Sequence, residues 1–119
     1  MKGNRYTLAN YGALAPISAT NWLFGLTLPQ PCVLQEWRQA VNITAPNDAS
    51  NYWSIALNSI SGTLATFTTV GITAGAWQLK TVPNLAKAIA DSAVAIYVYA
   101  TKVGSPGVLN AMAPVIYVE

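Results

Sequence analysis

Short runs of alternating apolar and polar residues, separated by clusters of turn-forming residues, recur through most of this chain. In the clearest run, SAVAIYVYAT (92–101), β-branched residues alternate with Tyr97 and Tyr99. A period of two sends successive side chains to opposite faces of a β-strand. Runs of about five to eight residues, spaced about ten apart with turn signals between them, are typical of an all-β sandwich or barrel. The sequence therefore predicts an antiparallel β-sandwich with a jelly-roll-like or immunoglobulin-like topology.

Six further runs predict strands, and one segment differs from them. In the run 33–44, the odd-numbered residues from Val33 onward are predicted on one face and the even-numbered residues from Leu34 onward on the other. The segment PNLAKAIADSA (83–93) has apolar residues at helical spacing and is predicted to be a crossover loop with a turn of helix. The six strand runs are NWLFGLTLP (21–29), VLQEWRQAVNIT (33–44), NYWSIALNSI (51–60), TLATFTTVGI (63–72), AWQLKTV (76–82) and APVIYVE (113–119).

The beginning of the chain, MKGNRYTLANYGALAPISATN, shows neither a strand period nor a helix period. We predict an extended N-terminal arm over residues 1–21 and a β-sandwich domain over residues 22–119. The apolar side chains of the arm favour an arm pinned on a neighbouring surface over a disordered one. The arm residues expected to bind a partner are Leu8, Tyr11, Leu14 and Ile17.

Charged side chains are rare in this chain. They make up 8% of its 119 residues, against about 25% in ordinary soluble domains. Hydrophobic residues make up 53%, so the polar cover must come largely from Ser, Thr, Asn and Gln. We expect much of the outer surface to be buried against other copies or another protein, since obligate interfaces resemble a protein core. The composition therefore predicts a permanent assembly, either a homo-oligomer or a complex with another protein.

The distribution of charge argues against nucleic-acid and membrane partners. The net charge is +2 and the six basic residues are scattered, whereas nucleic-acid binding needs clustered Lys and Arg. The charge-free stretch 6–35 is interrupted by Asn, Gly and Pro, so it contains no run of about 20 apolar residues. The same interruptions at 10–12 break a signal-peptide pattern. We expect a soluble, unprocessed chain.

The ionisable residues offer no catalytic constellation. The chain has no His, which removes the Ser-His-Asp type of triad. Glu36 is expected to be an outward charge on a strand, while Asp48 and Asp91 lie in turn-forming contexts. The loop NDASN (47–51) holds a single carboxylate, fewer than calcium loops usually have. Cys32 has no second cysteine to pair with and is predicted to be a buried hydrophobe. We expect no catalytic residue, metal or cofactor, and no enzymatic activity.

The aromatic residues allow two interpretations. Trp53 and Trp77 are in phase with the apolar residues of their runs, including Leu79. They are therefore predicted to lie in the core or in a subunit interface, where a large ring is most stabilising. The alternative is an exposed platform on which sugars stack. Tyr97 and Tyr99 alternate with predicted core residues, and we expect them to form a stripe that faces a partner.

Four motifs occur in order in the second part of the chain. They are NYWSIAL (51–57), an A-x-F-x-T strand at 65–69, a glycine followed by a tryptophan strand, and a closing TKVGSPGVL (101–109). This series resembles small β-sandwich modules of structural proteins from tailed bacteriophages and prophages, over roughly residues 35–119. Such modules occur in head decoration (cement) proteins and in head or tail fibres.

The resemblance implies a viral structural protein that is made in the host cytoplasm and located in the virion. It would bind the outside of a phage head and stabilise it, with the major capsid protein as partner and a homotrimer as the favoured assembly. The alternative is a glycan-binding or assembly module of a phage head or tail fibre. In either case the turn at 104–107 is expected to stiffen the last strand pair, because proline fixes φ and glycine adopts turns that other residues resist.

Overall fold

A computed structural model describes residues 4–7, 9–10, 16–28, 31–60, 62–89 and 94–119. These residues form antiparallel strands and no helix, and hence no helix long and apolar enough to cross a membrane. The predicted all-β class is confirmed. The described strands are β1 (Asn4–Thr7), β2 (Ala9–Asn10), β3 (Asn21–Leu28), β4 (Cys32–Ile43), β5 (Tyr52–Ser59), β6 (Gly62–Thr68), β7 (Gln78–Val82), β8 (Lys87–Ile89), β9 (Val94–Val103), β10 (Leu109–Ala111) and β11 (Val115–Val118).

The strands form a six-stranded sheet and a five-stranded sheet. Strand β4 is the centre of the six-stranded sheet, with β10 and β11 along one edge and β7 and β8 along the other. Strand β1 extends this sheet beyond β11. The order in the five-stranded sheet is β2-β3-β9-β5-β6. The turn at 104–107 therefore carries the chain from β9 in one sheet to β10 in the other.

Apolar side chains from both sheets fill the space between them. Trp37 of β4 and Trp53 of β5 are fully buried. The ring centroid of Trp37 lies 5.1 Å from that of Phe67 in the opposite sheet. From Ile96 to Ala100, the side chains of β9 alternate between buried and half-buried, as predicted. Cys32 is half-buried and packs against this core; burial raises the pKa of its thiol. Removal of this surface from water is the main force that holds the sheets together.

Two local predictions are wrong. A register shift between β4 and β11 places Leu34 in the core at 1% exposure, on the same side as Trp37, whereas strict alternation put these two residues on opposite faces. The described part of the predicted helical turn at 83–93 contains a strand, β8, and two residues with positive φ, Asn84 (56°) and Ala86 (49°). These values lie outside the right-handed helical region, so the backbone there does not form a helix.

The described part of residues 1–21 is integrated into the sandwich. Strand β1 pairs with β11, and β2 pairs with β3. The N–H groups of Ile17 and Leu109 each donate to the carbonyl of the other at 2.9 Å, and Ile17 is buried in the core at 7% exposure. Ile17 therefore lies in the core and not on a surface that could face a partner, while the predicted boundary at residue 21 stays a prediction. The other three candidates of this segment, Leu8, Tyr11 and Leu14, lie outside the described residues.

Candidate functional site

Asp48 and Glu36, two candidate carboxylates in the described part of the chain, both bind neighbouring groups of the same chain. Asp48 accepts hydrogen bonds from the N–H groups of Ser50 and Asn51, at 2.8 and 2.9 Å, and these bonds hold the pKa of its carboxyl below the usual range. Glu36 is 8% exposed and forms an ion pair with Arg38. Within the described ranges, no group of three or more His, Cys, Asp or Glu residues is placed to hold a metal ion. The two carboxylates therefore act on local structure.

The Gly-Ser-Pro-Gly turn packs against the loop that joins β4 to β5. The N–H of Ser105 donates to Asn51 Oδ1 at 2.8 Å, and the carbonyl of Pro106 accepts a hydrogen bond from Asn47 Nδ2 at 2.9 Å. Gly104 has a φ of 69°, and a Cβ at this position would lie 2.3 Å from a backbone carbonyl oxygen of the loop. The turn is therefore a tightly fitted structural element at one end of the sandwich.

The outer surface of the five-stranded sheet carries three clustered aromatic side chains. Trp22 of β3 is 41% exposed and stacks on Tyr97 of β9, with ring centroids 4.4 Å apart and planes inclined by 19°. Tyr99 approaches the same indole edge-on at 6.2 Å. Asn58 of β5 is the register partner of Tyr97 and lies beside the rings. We refer to Trp22, Asn58, Tyr97 and Tyr99 as the aromatic face.

The outer surface of the six-stranded sheet carries exposed aliphatic side chains. Leu79 of β7 is 63% exposed and Met112, just after β10, is 53% exposed. Ala40 of β4 lies between them, because it is the register partner of Leu79 and its carbonyl accepts a hydrogen bond from the N–H of Met112 at 3.1 Å. Trp77, immediately before β7, is 47% exposed. We refer to Ala40, Trp77, Leu79 and Met112 as the apolar patch.

Polar and aromatic side chains continue this surface along β4 and β11. The guanidinium of Arg38 lies 4.9 Å from the ring centroid of Tyr117 and pairs with Glu36. Arg5 of β1 is exposed and is the register partner of Tyr117. Protein interfaces commonly combine an apolar centre with a polar rim, and are enriched in Arg, Tyr and Met. The six-stranded sheet presents this composition on its outer surface.

The structure confirms some predictions about aromatic side chains and corrects others. Trp53 is fully buried, as predicted, whereas Trp77 and Leu79 do not lie in the core of this chain. The other predicted location of Trp77, a subunit interface, stays a prediction. Leu79 is exposed because it shares the outer face of the sheet with Ala40, which no described layer covers. Trp22 was not among the predicted partner-binding residues, and it joins the two predicted tyrosines. Its role depends on the pairing of β3 with β9, which the sequence of β3 alone does not reveal.

Comparisons with known proteins give structural matches without sequence matches. No family model matches the chain, and no curated protein matches it. The matching solved structures are of viral capsid proteins. They include the Gt strain of infectious bursal disease virus, with a TM-score of 0.43, 14% identity and coverage of 98% of this chain and 32% of that one. A VP2 subviral particle of the same virus matches with a TM-score of 0.41, 13% identity and coverage of 98% and 30%. The chain thus spans about a third of the length of these capsid proteins.

Proposed function

We propose that the chain is a structural protein of a viral particle, specifically a decoration protein that binds the outside of a phage head and stabilises it through apolar contacts between proteins. The observation that carries this proposal is the apolar patch on a chain with 8% charged residues. The motifs NYWSIAL and TKVGSPGVL, which resemble modules of phage structural proteins, supply the viral context. The proposed location is the virion.

Burial of the apolar patch supplies the driving force for assembly. Complete burial of an exposed Leu or Met side chain stabilises a complex by roughly 1.5–3 kcal/mol, before the cost of association is subtracted. Leu79 and Met112 are more than half exposed and lie on opposite sides of Ala40, so a flat apolar partner can cover both. Arg38 and Tyr117 then lie on the same surface, where they can contact the partner's polar groups.

The proposed assembly is a homotrimer whose further partner is the major capsid protein. In this account the apolar patch joins copies of the chain, and Leu8, Tyr11 and Leu14 contact the capsid. The polar loop network at one end of the sandwich suits a passive shell component, because buried hydrogen-bonded groups hold the loops in one conformation. No catalytic step is part of this function.

The direct test is attachment to empty heads prepared from the encoding virus without this protein. Wild-type protein is expected to co-sediment with the heads at a fixed ratio to the major capsid protein. We expect Leu79→Ser to weaken attachment, because it removes the most exposed side chain of the patch that joins the copies, and separated copies lose the multivalent contact of a trimer with the head. The matched control is Thr81→Ala, which changes an exposed residue on the same face of β7 and should attach normally.

Two results would contradict the proposal. Absence of the protein from purified virions, measured by mass spectrometry, would remove the decoration role. Equal attachment of Leu79→Ser and wild type would remove the apolar patch from the mechanism. A triple Ser substitution of Leu8, Tyr11 and Leu14 tests the capsid contact separately, since it leaves the patch unchanged.

A further inference from the structure

We propose that the aromatic face is a binding site for a neutral glycan. This site lies on the outer surface of the five-stranded sheet, whereas the apolar patch lies on the six-stranded sheet, so the proposal stands independently of the assembly role. Its elements are a stacked pair of rings, an adjoining groove, an amide with an unpaired oxygen and the lack of charge on the lining side chains.

The stacked rings form a preorganised platform. Trp22 is held against Tyr97 at 4.4 Å and flanked edge-on by Tyr99, yet it remains 41% exposed. A side chain held in place before binding loses little conformational freedom on binding, which favours affinity. The C–H groups on one side of a pyranose ring form an apolar surface that matches an aromatic ring, while the hydroxyl groups of the sugar stay directed to its rim.

A groove adjoins the platform. Gly25, the register partner of Tyr97 on β3, has no side chain, and it lines a depression of about 350 Å³ together with Trp22, Leu26, Thr27 and Ile60. A second depression of about 300 Å³ is lined by Asn58 and the three aromatic residues. Each volume is at the lower end of the range for small-ligand sites, roughly 300–1,000 Å³. The two depressions share Trp22 and Tyr97, so together they can hold adjacent units of a short oligosaccharide.

Asn58 supplies a polar group with an unpaired atom. Its Oδ1 is buried and has no hydrogen-bond partner within the described residues, and such an atom costs free energy unless it is satisfied. The side chain lines the second depression, and rotation of its amide would bring the buried oxygen to the position of the nitrogen, so that either a donor or an acceptor can face a ligand. A sugar hydroxyl both donates and accepts a hydrogen bond, and therefore suits either orientation.

The lack of charge selects the class of ligand. The described side chains that line the two depressions include no ammonium, guanidinium or carboxylate group. A nucleotide or an acidic sugar requires cationic partners for its phosphate or carboxylate. A neutral glycan needs aromatic surface and uncharged hydrogen-bonding groups, which are the groups present here.

The experiment is a glycan array followed by isothermal titration of the purified full-length chain. We expect selective binding of neutral oligosaccharides on an array that carries neutral and acidic glycans. With the tightest neutral oligosaccharide, Trp22→Ala is expected to lower the affinity about tenfold or more, since loss of one stacking contact costs about 1.4 kcal/mol. Asn58→Ala is expected to lower it several-fold.

The matched control is Val70→Ala, which changes an apolar side chain of similar exposure (44%) outside both the aromatic face and the apolar patch and should leave the affinity unchanged. If Trp22→Ala does not fold, chemical-shift mapping on the wild type replaces it, with shifts expected at the Trp22 indole N–H and the Asn58 amide. Binding of acidic glycans alone, binding of no glycan, equal affinity of a folded Trp22→Ala, or shifts centred on Trp77 would each overturn the proposal. Attachment of Trp22→Ala to empty heads reports on the assembly role separately.

Discussion

Gly104 shows how closely single residues are fitted in this chain. Its φ of 69° lies in the left-handed region, and a Cβ there would approach the Ser50 carbonyl oxygen to 2.3 Å and Asn51 Oδ1 to 2.6 Å. Asn51 Oδ1 also accepts the hydrogen bond from the Ser105 N–H. A side chain at this position therefore has to displace both the loop and the turn.

We predict that Gly104→Ala lowers the free energy of unfolding by about 3 kcal/mol or more, through backbone strain and the clash together. The matched control is Gly71→Ala, where φ is 80° but nothing lies within 4 Å of the added Cβ. Strain alone should then cost about 1 kcal/mol. Urea unfolding of both variants measures the difference. Equal losses would show that the contact with the loop does not constrain the turn.

At the scale of elements, a buried polar network joins the loop after β4, the start of β5 and the end of β6. Thr69 is fully buried. Its hydroxyl accepts a hydrogen bond from the backbone N–H of Trp53 at 2.8 Å and donates one to Asn47 Oδ1. The Asn47 amide also reaches the carbonyls of Ala45 and Pro106, at 3.1 and 2.9 Å. The network thus links loops from both sheets at the end of the sandwich where the closing turn lies.

We predict that Thr69→Val lowers the free energy of unfolding by about 3 kcal/mol. Valine has a similar shape, but it leaves the backbone N–H of Trp53 and Asn47 Oδ1 without a hydrogen-bond partner in the interior. The control is Thr68→Val on the exposed face of β6, where the change should stay within about 0.5 kcal/mol. Chemical denaturation of the two variants and the wild type measures these changes in the free energy of unfolding. A neutral Thr69→Val would mean that the network adds nothing to stability.

The strands could be predicted from the sequence because alternation is a local property of a strand with one buried face. The run 94–103 illustrates this, since the burial of Ile96 and Val98 and the half-burial of Tyr97 and Tyr99 on the opposite face follow directly from the pattern. The turn at 104–107 was also predicted, because proline and glycine restrict the backbone wherever they occur. The prediction that it joins a strand pair was wrong, since the strands that flank it lie in different sheets.

The remaining features depend on pairings between distant residues. Leu34 faces the core because of a register shift against β11. Trp77 and Leu79 resemble core residues in the sequence, and they are exposed because no described layer covers the outer face of β7. The pattern placed Tyr97 and Tyr99 on the outer face of β9, and their role towards a partner stays a prediction. Trp22 reaches the same surface through the pairing of β3 with β9.

At the scale of the whole molecule, two exposed faces on opposite sheets have different chemistry. The apolar patch joins aliphatic side chains with Trp77 and lies on the same surface as Arg38 and Tyr117, a composition suited to a protein partner. The aromatic face combines stacked rings with an uncharged amide, a composition suited to a sugar. In the proposed decoration role, one face would serve assembly and the other would be directed outward.

The central claim is that this charge-poor chain works by association through the apolar patch. Multi-angle light scattering of the wild type over a wide range of concentrations tests it, with Leu79→Ser and Thr81→Ala as test and control variants. The account predicts a wild-type mass three times the 12.6 kDa of the chain, the same mass for Thr81→Ala, and a smaller mass for Leu79→Ser. A wild-type protein that stays monomeric at every concentration would contradict the claim.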